Sequence, residues 1–579
     1  MLTRSSRSRL ARSLALLLVL ALFATACGDD SSTSSDTETD TDDTTPDDGG
    51  TAPPTSASTE GENEEEAEAT DEQVPVRDGT LRIAVEAESD GLNPMANNFA
   101  VSAYVMGNTV FDPLFYVDTD GEWFPYLAES ATPVGDGSSW DIKLRPGITF
   151  HDGTPLDADA LIVNFETVLN DPIISIAVKP RFPEENRYEK IDDLTVRYNS
   201  RQPTAAFPLS MTTQVGMVAS PAWLAAAAED PSLDQAPVGT GPFMIESREQ
   251  DLVTRMVRNE NYWQGTENIH LAAVEIHPIT DPVIASERVA RGELDMVVTS
   301  NPDAQLTLED LGVNITSNLL SGEDDIMMNT SVPPMDDFRV RQALTFAADR
   351  EGYAELIAQG TKPMADTIFH PDLKWHNPDI VQEGNDPDAA APLIAEYCAD
   401  VPDQCTDGKV NIELQFSGPS VTQTLIMDLL IAGWQDYFNV TRQELLQDDH
   451  ITEVATGAWQ VVTWRQFGEI EPELEVHWLQ CETAEGLIAL NWPRVCNPDR
   501  DELLFEQRSS DDEARRIEIW QEIAQDIHDS YAYIFLTHAN WVIGFNDNVK
   551  NVCGQLGPDG EEMICNSQGR IYVHNAWVE

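Results

Sequence analysis

Few of the reactive side chains in this 579-residue chain stand in spacings that catalysis requires. Asp and Glu number 101, Lys and Arg 34 and His 10, for a net charge of −67. No G-x-S-x-G, H-E-x-x-H, S-x-x-K or phosphate-loop signature occurs, which removes the recognisable routes to serine nucleophiles, zinc hydrolysis and nucleotide cradling. With so many carboxylates, acids adjoin acids throughout, and proximity alone cannot single out a general acid/base pair. Asp448-Asp449-His450 has metal-ligand residue types in a row, but a hydrophilic triplet in so acidic a chain reads as an exposed turn, and no metal or other cofactor is expected. His151, in His151-Asp152-Gly153-Thr154, reads as a turn residue, since Asp bonds its own backbone and Gly supplies positive φ. Gly239-Thr240-Gly241-Pro242 lets backbone approach a neighbour closely, without the following Lys of a phosphate loop. An enzyme is not indicated.

Cysteine use points to an oxidising compartment. After Cys27 the six cysteines fall in three local groups, Cys398 with Cys405, Cys481 with Cys496 and Cys553 with Cys565. An even count in an exported chain favours disulfides over metal or catalysis. Sequence permits 15 connectivities, and pairing within each group is the arrangement expected here. Export itself is read from the first residues. Arg4, Arg7, Arg9 and Arg12 precede an apolar run from Leu14 to Phe23, followed by Ala24-Thr25-Ala26-Cys27. The run is shorter than the roughly 20 residues a membrane span needs, so residues 1–26 are expected to be a signal peptide.

Residues 28–76 consist almost entirely of Asp, Glu, Ser, Thr, Gly and Pro, with no Lys or Arg. Such a segment buries too little surface to offset its ordering entropy, and reads as an acidic, disordered tether. The net charge also excludes sequence-neutral nucleic-acid binding, which depends on Lys and Arg neutralising phosphates. The remaining 500 or so residues suffice for two or three subdomains. They open with a period-two strand around Thr80–Glu86. Further on, Leu161, Phe165, Val168 and Leu169 recur at helical spacing behind the candidate N-cap Asp157. Short strands and helices then alternate without a fixed repeat, which indicates α/β architecture with more than one sheet.

Longer strings carry a resemblance. Leu81-Arg82-Ile83-Ala84, Leu92-Asn93-Pro94, Asp112-Pro113-Leu114 and Pro125-Tyr126-Leu127-Ala128-Glu129-Ser130 come first, followed by Leu144-Arg145-Pro146-Gly147-Ile148-Thr149-Phe150-His151-Asp152-Gly153-Thr154. Pro237-Val238-Gly239-Thr240-Gly241-Pro242-Phe243, Arg258-Asn259-Glu260-Asn261-Tyr262-Trp263, Gly292-Glu293-Leu294-Asp295 and Asp337-Phe338-Arg339-Val340-Arg341-Gln342-Ala343-Leu344 follow. Together they resemble the family 5 solute-binding proteins, the oligopeptide, dipeptide and nickel receptors of ABC importers. The likeness is strongest over residues 80–350 and weaker from about Ala389 to Trp541, where it rests on helix pattern, Trp464 and Pro472.

The resemblance implies a type II, two-lobed periplasmic-binding-protein-like α/β fold with mixed sheets and hinge crossings. Lobe I is expected over residues 78–320, with an extra subdomain at about 110–220. Lobe II is expected over 321–531, with a return to lobe I over 532–579 through the apolar run from Tyr531 to Leu536. Separately, Ala24-Thr25-Ala26-Cys27 resembles a bacterial lipobox, which implies that Cys27 is the lipidated first mature residue and that residues 27–77 tether the receptor to the outer face of the cell membrane. The expected partners are a peptide or other small solute and the permease subunits of an importer, with the receptor itself a monomer. Asn97, Asn98, Thr240, Asn329, Trp464, Arg465, Phe467 and Glu469 are the expected lining of the ligand cleft. Peptide-binding members of that family carry an Asp shortly after the tryptophan matching Trp464, where it meets the peptide's α-ammonium. This chain has Arg465-Gln466-Phe467-Gly468-Glu469-Ile470-Glu471-Pro472 there, and a cleft-facing Arg465 is expected to favour an anionic group through a charge-assisted bond. An oligosaccharide or metal-chelate receptor, or a surface sensing module of the same fold, are the alternatives.

Overall fold

The computed structural model describes residues 75–97, 99–171, 174–318, 322–486, 488–510 and 512–579. The signal-peptide, Cys27 and tether expectations, and Asn98, lie outside them. The strand Gly79–Val85 forms where alternation predicts it, and it runs parallel to both Leu271–Pro278 and Met296–Thr299. Both of its faces are covered, with Leu81 and Ile83 completely buried in one core and Ala84 completely buried on the other side against helix residues Ala285, Val289 and Leu308. The first sheet has seven strands, in the order Asn314–Asn318, Trp541–Phe545, Met296–Thr299, Gly79–Val85, Leu271–Pro278, Val253–Arg258 and Phe243–Glu249.

Inserted into this lobe is a four-stranded antiparallel sheet of Ala128–Val134, Ser139–Leu144, Thr195–Asn199 and Tyr188–Lys190. The helix Ala158–Asn170 packs on it, started by Asp157, whose side chain accepts from the Ala160 N–H at 2.9 Å. Phe165 meets Tyr198 edge to face at 5.0 Å in a core of its own that runs from Leu114 to Val218 and recruits Met563 from the C-terminal segment.

The second lobe is a six-stranded mixed sheet. Lys409–Ser417 runs parallel to Phe438–Leu445 and Val461–Gln466, and Glu323–Met328 lies antiparallel between Val461–Gln466 and Tyr533–His538. The chain passes between the sheets twice, from Asn318 to Glu323 and from His538 to Trp541. The apolar run Tyr533–Leu536, expected to open the return to lobe I, is instead a strand of the second sheet. It is buried because helices and the Glu323–Met328 strand cover it, and the return to the first sheet begins at Trp541, opposite Asn318.

All six described cysteines pair with their local neighbours, Cys398–Cys405, Cys481–Cys496 and Cys553–Cys565. Asp448-Asp449-His450, expected as an exposed turn, sits instead in the helix Gln447–Thr456, with His450 buried against Trp464 at a ring separation of 5.3 Å.

Candidate functional site

Because both crossings leave the second sheet at one end, the ends of Glu323–Met328, Val461–Gln466 and Tyr533–His538 face the first lobe. Residues with polar or aromatic side chains collect there. Asp324 is their electrostatic centre. Its Oδ1 accepts from Arg465 Nε at 2.8 Å, and its Oδ2 accepts from Lys362 Nζ at 2.8 Å and from Thr537 Oγ1 at 3.2 Å. Burial alone would raise this carboxyl, but Arg465 and Lys362 hold it well below the usual carboxylate range. Arg465 also reaches the first lobe, donating from Nη1 to Ser300 Oγ at 3.0 Å and lying over the Trp541 ring at 5.6 Å. Its guanidinium thus joins Asp324 of the second lobe to the first.

A second bridge lies farther out. The strand Val461–Gln466 ends in a sharp turn in which Phe467 has φ 63° and Gly468 φ 107°. A bulky residue in the left-handed region is uncommon and costs on the order of 1–3 kcal/mol. The turn buries the Phe467 ring against Tyr533 at 5.6 Å and sends Glu469 toward the first lobe. There both Glu469 oxygens accept from Arg570 Nη2 at 3.0 Å, and the Arg570 guanidinium lies over the Tyr104 ring at 5.2 Å. Gln359 and Asn540 add further links between the lobes, to Asp303 at 2.6 Å and Gln305 at 3.1 Å.

Between the bridges stands an aromatic wall. Trp464 is half-buried, with Trp492 at 5.9 Å and Trp478 at 5.2 Å beyond it. The Cys481–Cys496 disulfide closes the loop that carries Trp492. Trp464, Arg465, Phe467 and Glu469 therefore gather at the lobe contact.

The other expected residues are used elsewhere. Asn329 is fully buried, donating to the carbonyls of Gly457 and Trp459 and accepting from Ser331, so its side chain ties loops together behind the sheet. Thr240 is also fully buried and donates to Asp112 Oδ2 at 3.0 Å. Asp112 further binds the Tyr262 hydroxyl and the Trp263 indole N–H, and burial pushes its carboxyl up to about 6 despite those bonds. The glycines flanking Thr240 have the packing role read from the sequence, since a Cβ on Gly241 would stand 2.5 Å from the Val110 backbone. His151 is held in its turn by the Gly241 carbonyl at 2.9 Å. Asn97 accepts from the Asn93 N–H at 2.8 Å, and its carbonyl accepts from Gln214 at 2.6 Å, shaping a first-lobe loop.

Sequence reasoning missed Asp324, Tyr104, Arg570, Gln466 and Tyr533. One signal was available for the first: Glu323-Asp324-Asp325 is an acidic triplet that runs straight into the apolar Ile326-Met327-Met328, and three acids inside a strand demand partners or a ligand.

The family model for bacterial extracellular solute-binding proteins, family 5 Middle, matches residues 122–469, more than half of the chain. The chain belongs to that family. Di/tripeptide-binding protein 2 of Pseudomonas aeruginosa is 25% identical over 514 residues, covering 82% of this chain and 92% of the relative. Heme-binding protein A of Haemophilus influenzae is 29% identical over 340 residues, 54% of this chain and 59% of the relative. Among solved structures, the periplasmic binding protein DppA from Helicobacter pylori in complex with the peptide STSA superposes with a TM-score of 0.75 at 18% identity, over 87% of this chain and 99% of that one. That likeness shows the two-lobed type II fold. Family 5 proteins are substrate-binding receptors rather than enzymes, which agrees with the absence of catalytic motifs from the sequence.

Proposed function

We propose that this family 5 protein is an extracytoplasmic receptor that encloses a peptide or peptide-like solute between its lobes and delivers it to an ABC importer. The observation that carries the reading is the lobe contact itself, an aromatic wall of Trp464, Trp478 and Trp492 flanked by two ion-pair bridges. Enclosed ligand sites are built this way, from apolar and aromatic surface with a few placed polar groups. A solute touching both lobes has differential affinity for the closed arrangement and shifts the hinge equilibrium toward it, giving the importer's permease a shape to recognise. Relatives named for di/tripeptide binding support the solute class. We assign Arg465 to the hinge, because it joins Asp324 of the second lobe to Ser300 of the first. The lipid anchor at Cys27 and the acidic tether complete the proposal, holding the receptor at the outer face of the membrane. Native mass spectrometry of the full chain, purified without denaturation, tests it. A bound molecule with a peptide-like mass is expected, and a carbohydrate, tetrapyrrole or metal-chelate mass would replace the peptide reading.

A further inference from the structure

The strand Glu323–Met328 is buried at every position. Its antiparallel register sets Glu323 opposite Gln466 and Asp325 opposite Trp464, so these four side chains share one face of the sheet. On the other flank Glu323 faces His538 and Asp325 faces Phe535. The polar groups on this face are poorly matched. Both carboxylate oxygens of Asp325, the Oε2 of Glu323 and both ends of the Gln466 amide make no hydrogen bond of normal geometry to any described residue, although the Tyr533 hydroxyl lies beside the amide. Exposure does not relieve them, since Asp325 is 1%, Glu323 2% and Gln466 5% accessible. Buried polar groups are almost always partnered, and leaving one bare costs roughly 1–3 kcal/mol, more for a charged group. Glu323 Oε1 is partnered, 2.9 Å from His538 Nδ1, and among the groups left bare the acceptor oxygens outnumber the single amide nitrogen. The nearby cations are committed, Arg465 and Lys362 to Asp324, Arg570 to Glu469 and Arg500 to Asp526.

We propose that Asp325, Glu323 and Gln466 form a subsite for a cationic, N–H-rich group of the solute, either a primary ammonium or a guanidinium, with Trp464 and Phe535 as its apolar flanks. The inference rests on the solute-binding reading. It reverses the charge preference that the Trp464-Arg465 pair suggested, and it places the acidic contact on a strand other than the one that carries the tryptophan.

Calorimetric titration of the full chain with four C-terminally amidated tripeptide probes tests it: tri-alanine, N-acetyl-tri-alanine, N-acetyl-Ala-Arg-Ala and N-acetyl-Ala-Glu-Ala. At least one cationic probe is expected to bind ten-fold or more tightly than the neutral and anionic ones, and whether tri-alanine or the arginyl peptide wins tells an α-ammonium from a side-chain cation. Asp325→Asn is expected to abolish that preference without lowering the melting temperature, because it removes an unpaired buried acid. Glu323→Gln supplies an independent variant and is expected to weaken the same probe. Binding of blocked neutral or anionic peptides as tightly as cationic ones, or cationic binding that survives both substitutions, would overturn the subsite while leaving solute binding intact. Silence from all four probes would count against peptide binding altogether and remove this inference with it.

Discussion

Acids of opposite character lie within one strand of the second lobe. Asp324, with two cations on it, is held ionised. Its neighbours behave differently: burial pushes Glu323 and Asp325 well above the usual carboxylate range, and burial together with Glu469 pushes Glu475 up to about 8. Linkage gives these groups opposite effects on stability. Asp324, with a depressed folded pKa, contributes stability that is present above its unfolded value of 3.8 and is lost as pH falls below it. Glu475 binds its proton more tightly when folded. Its contribution is therefore complete below the unfolded value of 4.5 and is lost as pH rises through about 8. Buried histidines such as His477 and His538, held neutral below their unfolded value of 6.5, act in the opposite sense over part of this range, so Glu475 is isolated by difference: relative to wild type, the urea midpoint of Glu475→Gln is expected to gain as pH rises from 5 to 8. A difference between the two midpoints that does not change over that interval would contradict the assignment. Little of this was legible beforehand. Trp464 and Arg465 adjoin in sequence, whereas the pairing of Arg465 with Asp324 joins positions 141 residues apart and needs the register of two strands to be known.

Elements were read more successfully than contacts. The strand at Gly79–Val85, the Asp157-capped helix and the turn at His151 follow from local patterns, and each is where those patterns put it. The apolar run Tyr533–Leu536 announced a buried strand, but hydrophobicity cannot say which sheet does the burying, so the return to the first lobe was placed several residues early. Asp448-Asp449-His450 misled for a related reason: its polarity suggested a turn, and only the packing of His450 on Trp464 explains the helix. The turn that throws Glu469 across to the first lobe depends on Phe467 at positive φ, which composition does not disclose. Local cysteine spacing did give the disulfide pattern. The loop closed by Cys481–Cys496 spans 15 residues and carries Trp492 of the aromatic wall. Replacing both cysteines with Ser is expected to lower unfolding stability by about 3 kcal/mol through loop entropy and to increase solvent quenching of tryptophan fluorescence. Unchanged stability and quenching would mean that the packing around Trp492 holds without the bridge.

Across the whole molecule, the two bridges set the geometry. The Asp324–Arg465 cluster lies beside the chain crossings, and the Glu469–Arg570 pair closes the far side of the aromatic wall against Tyr104. A solute held between them would draw the lobes together, and this closure is measurable. It is tested most directly by the distance between spin labels on exposed positions of the two lobes, placed by Glu229→Cys and Asp403→Cys. The full chain would be stripped of bound solute by mild denaturation, refolded, and measured before and after the solute identified by native mass spectrometry is restored. A shorter and narrower distance distribution at saturation is predicted, with Glu469→Gln shifting the saturated sample back toward the longer distances. A distribution that stays the same when the solute is saturating would contradict a receptor that closes on its ligand.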